Sequence, residues 1–260
     1  MVEMGQIPIQ QDLMMMPLDS VMEYPMKVSA DSPGEVEASD GFRYRIKCDV
    51  DGKSISASEW LCTKIGEEIG IAAPTPSLIK MQDGSLVFGS RRVSGVADAL
   101  ETQTFLLTTS SPNLGSPVAG LQRIISNVYA FDLFFNNVDR HLGNYLSVQE
   151  TGQRRIFAID YSRSLFYGWP LNAFPAANEN TIRFGRMLRE KHSFDQVAAD
   201  SILSALGALP TSVVEGFINR MPVTWLPLPL RTEFLDWWSN GGRGQRILNL
   251  REGLYNGQLL

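Results

Sequence analysis

The chain has 260 residues, which is long enough for one large core or for two small lobes with a cleft between them. Hydrophobic residues make up 44% and charged residues 20%, a globular composition that excludes a disordered or collagen-like chain. The 28 acidic residues outnumber the 23 basic ones, and the net charge of −5 argues against a protein that coats nucleic acid with a basic face.

Cysteines and histidines are scarce. Cys48 and Cys62 are too few for a disulfide framework or a four-thiolate zinc site, and two histidines leave little for a His-rich metal centre. No run of 18 apolar residues occurs, and the first 26 residues contain no Lys or Arg, so neither a membrane span nor a secretory signal is expected. Together these features predict a cytoplasmic protein without a membrane-spanning segment.

Residues 1–23 form a Met-rich N-terminal extension. Flexible methionine side chains suit a segment that packs over a lobe or meets a partner, and a partly ordered leader is an equal alternative.

Residues 24–106 predict a β-rich lobe with one helix. Leu61, Ile65 and Ile69 recur at steps of four and predict a helix over 56–70, which Gly70 ends. Ser56 and Glu59 have the spacing of a capping box at its start. Strand-like runs bounded by turn residues make up the rest. They are 25–30, 35–38, 42–48 and a hairpin of 76–81 with 85–89.

Residues 107–260 predict an α-rich lobe. Residues 107–120 are rich in Ser, Thr, Pro and Gly and predict a loop, and the apolar period that follows predicts a helix over 121–137. A hairpin comes next, and further amphipathic segments include 197–206 and 246–254. The sequence therefore predicts an α+β, two-lobed fold with a β-rich lobe first and an α-rich lobe second.

The densest group of polar residues is segment 136–144, Asn-Asn-Val-Asp-Arg-His-Leu-Gly-Asn, directly after the predicted helix. The following hairpin ends in Asp160. An Asp, an Asn five residues later and an Asp across a hairpin can converge on one point. One carboxylate would position an acceptor hydroxyl, while the amide and the second carboxylate would hold Mg²⁺, which prefers hard oxygen ligands.

The run Asp139 to Asn144, with Ile159-Asp160 downstream, resembles the catalytic and metal-binding motifs of HipA-like kinases and of phosphatidylinositide kinases. The resemblance to HipA-like kinases extends from about Tyr24 to Asp160 and more weakly into the C-terminal helices. It implies a protein-kinase-like fold and an activity that uses ATP and Mg²⁺.

The resemblance also implies roles for single residues. Asp139 corresponds to the catalytic Asp, while Asn144 and Asp160 correspond to the magnesium ligands, Asn144 also belonging to the catalytic group. Lys47 corresponds to the catalytic lysine that contacts the α- and β-phosphates, with Glu59 as its helix partner. The remaining nucleotide contacts are assigned to Ser32, Gly34, Phe88, Gly89 and Ser90.

The motifs depart from the protein-kinase pattern in three ways. No G-x-G-x-x-G loop precedes Lys47, so only the segment 32–35, Ser-Pro-Gly-Glu, is available to cover the phosphates. Tyr161 and Ser162 follow Asp160 where a protein kinase has Phe and Gly, and no Ala-Pro-Glu motif comes later. Activation by loop phosphorylation is therefore not predicted.

Structural alternatives remain open for these residues. The polar residues of 136–144 could cross-link a tight turn, with His141 as a loop anchor. Glu59 could act only in the capping box. Lys47 could be a solvated lysine on an edge strand. A basic cluster could touch an acidic substrate or form a solvated helix face. It consists of Arg183, Arg186, Arg189 and Lys191.

The predicted activity is transfer of the γ-phosphoryl group of ATP to a hydroxyl, most simply Ser or Thr of a protein. The resemblance supplies the protein substrate, a toxin-like activity and a regulatory partner protein. Direct nucleic-acid binding and membrane association are not expected. A lipid or small-molecule kinase, and a nucleotide-binding pseudokinase that acts as a partner-binding module, are the alternatives.

Overall fold

The computed structural model describes residues 16–29, 32–108, 120–151 and 153–260. Strands and helices are mixed along the chain, so the predicted α+β class is confirmed. The chain divides into two compact units. The first contains the described residues up to Cys48 together with Thr75–Arg92, and the second contains Asp49–Pro74 and Val93–Leu260.

The first unit is a closed barrel of five strands. Its strands are β1 (Leu18–Ser29), β2 (Ser32–Ala38), β3 (Arg43–Lys47), β4 (Pro76–Lys80) and β5 (Leu86–Arg91). The strand order is β1-β2-β3-β5-β4 with antiparallel neighbours. A parallel pairing of β1 with β4, in which Leu18 lies opposite Ile79, closes the barrel.

The barrel interior follows from the two-residue period of its strands. In β2, Val36 and Ala38 are buried while Glu35 and Glu37 between them are partly exposed, and in β3 the buried Tyr44 and Ile46 flank an exposed arginine. This alternation places one apolar face inside the barrel. The buried core consists of Val36, Ala38, Tyr44, Ile46, Ile79 and Val87.

The two predicted hairpin turns of this unit are confirmed. Gly41 and Gly84 adopt φ angles of 79° and 84°, which a residue without Cβ reaches at little cost. Strand β1 begins at Leu18 rather than at residue 25. The extension predicted for residues 1–23 therefore includes the first part of β1, and its residues 1–15 lie outside the described residues. Pairing with β4 draws this segment into the barrel, a long-range effect that local sequence patterns miss.

The second unit contains the described helices and a small hairpin. The helices are α1 (Ile55–Glu68), α2 (Ala99–Leu107), α3 (Leu121–Phe134), α4 (Asn180–His192), α5 (Gln196–Ala208), α6 (Thr211–Asn219), α7 (Leu228–Ser239) and α8 (Gly242–Tyr255). The hairpin pairs β6 (Tyr145–Glu150) with β7 (Gln153–Ala158).

Helix α3 lies at the centre of the second unit. It contacts α4, α5 and α8, and every residue from Val128 to Phe134 is buried. Such a helix is apolar all round because neighbours cover all of its sides. One of its buried residues is Asp132, a charge that requires a partner in the interior. The C-terminal end of α3 leads directly into the polar segment 136–144.

The start of α1 corrects the predicted capping box. The helix begins at Ile55, so Ser56 lies inside it and Glu59 is one turn further along. The Ser56 N–H instead donates to Asp49 Oδ1 at 2.8 Å, because the carboxylate reaches the first turn of the helix, whose N–H groups lack partners within the helix, from the preceding loop. The predicted stop is confirmed, since α1 ends at Glu68 and Gly70 adopts a φ of 89°.

The sequence analysis placed α1 in the β-rich lobe, whereas in the structure α1 belongs to the second unit. Trp60 Nε1 donates to the Phe217 carbonyl in α6 at 2.9 Å, and the Phe166 N–H donates to Ser58 Oγ at 3.2 Å. These contacts tie α1 into the second unit. The lobe limits 24–106 and 107–260 stay a prediction.

Within the described ranges, no single helix is long and apolar enough to cross a membrane. The bent pair α5 and α6 meets the criterion only when its two helices are taken together, by length and composition.

Candidate functional site

The predicted polar loop follows the buried helix α3. Asn136 turns the chain with a φ of 51°, and the Leu165 N–H donates to the Phe135 carbonyl at 2.7 Å. Thr181 Oγ1, in the first turn of α4, donates to the Asn137 carbonyl at 2.6 Å and accepts from the Arg140 N–H at 2.9 Å. The loop is therefore held between the end of α3 and the start of α4.

Arg140 and Asp132 form a fully buried ion pair at the base of the loop. Arg140 Nε and Nη2 donate to the two Asp132 carboxylate oxygens at 2.6 and 2.9 Å, which is a bidentate arrangement. Asn137 Nδ2 donates to Asp132 Oδ1 at 2.8 Å. Burial disfavours the charge of Arg140, but the Asp132 carboxylate outweighs burial and raises the pKa of the guanidinium. Arg140 is therefore a fixed positive charge.

The third nitrogen of Arg140 connects the loop to the β6–β7 hairpin. Nη1 donates to the Asn144 carbonyl at 2.9 Å and to the Ile159 carbonyl at 2.6 Å. The Ile159 N–H in turn donates to the Asn144 carbonyl at 3.1 Å. Asn144 thus lies beside the residue that precedes Asp160. These contacts involve the backbone groups of Asn144 and Ile159, and the magnesium-ligand roles of Asn144 and Asp160 stay a prediction.

Asp139 carries its carboxylate at the edge of this loop, with 28% of the side chain exposed. Asn180 Nδ2 donates to Oδ1 at 2.5 Å, and Arg163 Nε lies 3.5 Å from Oδ2. One oxygen is oriented by an amide and the other faces a partly exposed guanidinium. The carboxylate is therefore held in one orientation while it remains accessible to an acceptor group.

The loop residues that were expected to cross-link the turn do so in part. The Gly143 N–H donates to His141 Nδ1 at 3.1 Å, which is the loop-anchoring arrangement predicted for His141. Asn144 Nδ2 donates to the Asp139 carbonyl at 3.0 Å. That bond uses only the amide nitrogen of Asn144, and its Oδ1 makes no hydrogen bond within the described part of the chain. The amide can therefore hold the turn with one atom and a cation with the other.

Asp160 occupies a conformation that is uncommon for residues other than glycine. Its φ is 64°, in the left-handed region, and Ser162 Oγ donates to its Oδ1 at 2.6 Å. Residues in sparsely populated backbone regions cluster at functional sites, where the surrounding structure enforces them. The left-handed turn directs the side chain away from the path that a continued strand would give it.

The donor set of Asn144 and Asp160 fits Mg²⁺. Both residues offer oxygen atoms, and magnesium is commonly held by one or two protein side chains together with substrate phosphates and water. Among the described residues there is no group of three or more His, Cys, Asp or Glu side chains that could hold a metal ion.

Apart from Glu59, the predicted nucleotide contacts lie in the first unit. Lys47 is 6% exposed and lies on β3 between β2 and β5, so the alternative of a solvated edge lysine is wrong. A buried lysine requires compensation, which is the environment expected of a functional lysine. Arg45, predicted on the same face as Lys47, is exposed.

The remaining nucleotide contacts predicted in the first unit lie on β5 and on β2. Phe88 is buried opposite Lys47, and Ser90 is partly buried opposite Arg45. Gly89 has a packing reason of its own, since a Cβ there would lie 2.6 Å from Ile79 Cγ1.

The segment predicted to cover the phosphates belongs to β2. Gly34 is buried and pairs with Ile46 of β3. Ser32 is the first residue of β2, and its side chain lies outside the described part of the chain.

Glu59 lies in the second unit, buried at 3% exposure in α1. Because the capping box is absent, the cap does not explain a buried glutamate at this position. Its nucleotide-site assignment, like those of Lys47, Ser32, Gly34, Phe88, Gly89 and Ser90, stays a prediction.

The sequence interpretation did not assign roles to Asp132, Arg140 or Asn180. Asp132 carried a signal, because it interrupts the apolar run Tyr-Ala-Phe-Asp-Leu-Phe-Phe of α3, and a charge on a buried face requires a partner. Arg140, inside the motif, was the available cation. Asn180 reaches Asp139 from 41 residues away and carried no local signal.

An Asp, an amide and a second Asp are the kinds of side chain that phosphoryl-transfer sites use. The chain belongs to the HipA-like kinase family, whose sequence model matches residues 24–227. The resemblance predicted from the sequence is confirmed.

Solved structures similar to the chain agree with this family. The Helicobacter pylori proinflammatory kinase CtkA has a TM-score of 0.56 at 14% identity, over 91% of this chain and 97% of that one. HipA of Shewanella oneidensis MR-1, solved with HipB and its operator DNA, has a TM-score of 0.51 at 9% identity, over 88% of this chain and 67% of that one. No curated protein matches the chain in sequence. Family and fold together support a kinase-like phosphotransferase.

Proposed function

We propose that the chain is an ATP- and Mg²⁺-dependent kinase that phosphorylates Ser or Thr of a protein. The observation that carries the proposal is the contact of Arg140 Nη1 with the carbonyls of both Asn144 and Ile159. It holds Asn144, on the loop that carries Asp139, beside Ile159, the residue that precedes Asp160. A two-lobed kinase organisation and a cytoplasmic location belong to the same proposal.

The residues of the loop have separate roles in this mechanism. Asp139 would accept a hydrogen bond from the acceptor hydroxyl and take its proton, while Asn180 and Arg163 keep the carboxylate oriented. Arg140 holds the loop and does not touch the substrate. Bound Mg²⁺ would neutralise charge on the phosphate oxygens, held by the Asn144 amide oxygen and the Asp160 carboxylate.

Lys47 would contribute a positive charge to the α- and β-phosphates, with Glu59 as the acidic residue of the nucleotide site. Catalysis in this scheme comes mainly from positioning and charge neutralisation. Ser32, Gly34, Phe88, Gly89 and Ser90 are the other proposed nucleotide contacts. A regulatory protein partner and a toxin-like activity are included because the Shewanella oneidensis HipA was solved with HipB in a toxin–antitoxin system.

The test is an Asp139→Asn variant, which keeps the size of the side chain but cannot take the proton. We expect phosphoryl transfer to fall by about two orders of magnitude or more, since general-base positioning contributes 10²–10⁴-fold. Affinity for ATP should change by less than about tenfold, because Asp139 acts on the acceptor rather than on bound nucleotide. The measurement is transfer of label from γ-labelled ATP to lysate proteins, alongside an ATP titration.

Two outcomes would contradict the proposal. Undiminished transfer by Asp139→Asn would remove the catalytic role of Asp139, because Asn is an equally good turn residue and would preserve a purely structural loop. ATP binding by both proteins without transfer by either would favour the pseudokinase.

A further inference from the structure

A cavity of about 410 Å³ lies beside the catalytic loop within the second unit. The loop contributes His141, Leu142 and Gly143 to its wall, and helix α4 contributes Asn180, Arg183 and Phe184. The cavity adjoins Asp139 directly, because Asn180 donates to Asp139 Oδ1 at 2.5 Å. Anything bound there lies next to the proposed acceptor position.

Gly143 keeps this part of the loop compact. A Cβ at position 143 would lie 2.9 Å from His141 Cε1, so a larger residue would displace the ring. The ring also accepts the Gly143 N–H at Nδ1. The wall of the cavity on the catalytic-loop side is therefore fixed by this contact rather than by a mobile side chain.

The charge of the cavity is positive. No Asp or Glu lines it, and Arg183 is its only charged residue apart from any charge on His141. Arg183 is exposed and makes no ion pair with another described residue. The acid one helical turn before it, Glu179, is engaged elsewhere, since its Oε2 accepts the Ala176 N–H at 2.7 Å.

The basic residues that lie close together in the sequence thus differ in whether they line the cavity. Arg183 faces the cavity beside Asp139, whereas Arg186, also exposed and one turn further along α4, does not line it. Both arginines are exposed, and only Arg183 lines the cavity. The two arginines provide a test residue and a matched control on one helix.

We propose that this cavity binds an acidic side chain of the acceptor polypeptide, with its carboxylate on Arg183. The inference rests on the proposed kinase activity and adds a substrate class to it. Arg183 lies three positions after Asn180 on the helix, a rise of about 4.5 Å, to which the length of the arginine side chain is added. An extended substrate spans about 3.3 Å per residue, so the acid is expected about two or three residues from the phosphorylated hydroxyl.

The test uses short alanine-based peptides with one central serine, each with a single glutamate at a different position. Binding is measured by fluorescence anisotropy and phosphorylation with γ-labelled ATP. One partly solvated ion pair contributes modestly, so we expect the best glutamate peptide to bind about fivefold more tightly than the all-alanine peptide. Arg183→Gln should abolish this preference, and Arg186→Gln should retain it.

The binding readout separates the two proposals. Equal affinity of the wild type for glutamate and alanine peptides, or a preference that survives Arg183→Gln, would overturn the acidic-substrate inference whatever the activity. A wild type that shows the glutamate preference but neither binds nor uses ATP would overturn the kinase proposal instead. Loss of the preference in Arg186→Gln would also overturn the inference, because a diffuse charge effect would then explain it.

Discussion

At the scale of single residues, Arg140 neutralises the buried Asp132 carboxylate and also holds the Asn144 and Ile159 carbonyls. A pair of substitutions can separate the effect on stability from the effect on activity. Replacing it with Met leaves the Asp132 carboxylate buried without a counter-charge, and we expect a loss of about 3–5 kcal/mol in the free energy of unfolding. The double variant Asp132→Leu/Arg140→Met removes both charges and should recover most of that loss. It should still transfer little phosphoryl, because nothing then holds the Asn144 and Ile159 carbonyls.

Urea unfolding and the γ-labelled ATP assay check this prediction. The matched control is Arg251→Met, since Arg251 pairs with Asp200 at 2.5 Å but both side chains are 40–50% exposed. That variant should lose at most about 1 kcal/mol and no activity. If the double variant were both stable and fully active, Arg140 would not position the loop.

At the scale of elements, the end of α3 depends on a residue from the far end of the chain. Arg246 of α8 donates to the carbonyls of Leu133 and Phe134 at 2.9 and 2.5 Å, which are groups that α3 leaves unsatisfied at its C-terminus. It also donates to the Leu171 and Ala173 carbonyls at 2.8 and 3.0 Å. Burial lowers the pKa of this guanidinium, and the four carbonyls stabilise its charged form.

We therefore expect Arg246→Lys to destabilise the fold by at least about 3 kcal/mol, because an ammonium cannot reach four acceptors arranged for a planar guanidinium. Gln245→Ala, at an exposed position of the same helix, should stay within about 0.5 kcal/mol of the wild type. Chemical unfolding of the three proteins measures both values. A lysine variant as stable as the wild type would show that solvent or the remaining structure satisfies these carbonyls.

The elements that could be predicted from the sequence are those whose signals are local. The turns at Gly41 and Gly84 and the helix stop near Gly70 each depend on adjacent residues, and all are found. Helices α6 and α7 were not predicted. Contacts between elements contribute to their placement, such as those of Arg231 in α7, which donates to four carbonyls between the end of α6 and the start of α7.

The residues of the candidate site also divide into those that a local sequence pattern indicates and those that only the folded chain brings together. Asp139, Asn144 and Asp160 could be proposed from the sequence because their residue types and spacing along the chain fit phosphoryl transfer. The supporting contacts could not, since Asn180 reaches Asp139 from α4 and Arg246 reaches the end of α3 from α8, and only the folded chain brings them there. The start of α1 was misplaced because the acceptor of the Ser56 N–H is Asp49, outside the helix.

At the scale of the whole molecule, ligand binding should stabilise the protein in a way that depends on both Mg²⁺ and Asp160. A ligand at about 100 times its dissociation constant stabilises a protein by about 2.7 kcal/mol, which for a chain of this size corresponds to several degrees in the melting temperature. We expect this shift with ATP and Mg²⁺ together and a much smaller one with ATP and EDTA, because the phosphates would then face the Asp160 carboxylate without a cation between them.

The Asp160→Asn variant makes the measurement specific to the metal site. Asparagine tolerates the left-handed φ of 64° and can still accept the Ser162 Oγ–H, so the unliganded protein should melt close to the wild type. The substitution removes the negative charge that a hard cation prefers, so most of the Mg²⁺-dependent shift should be lost. If Asp160→Asn kept the full shift, the strained backbone at position 160 would serve the loop alone and the metal would be held by other groups. If the wild type showed equal shifts with Mg²⁺ and with EDTA, neither Asn144 nor Asp160 would act as a metal ligand.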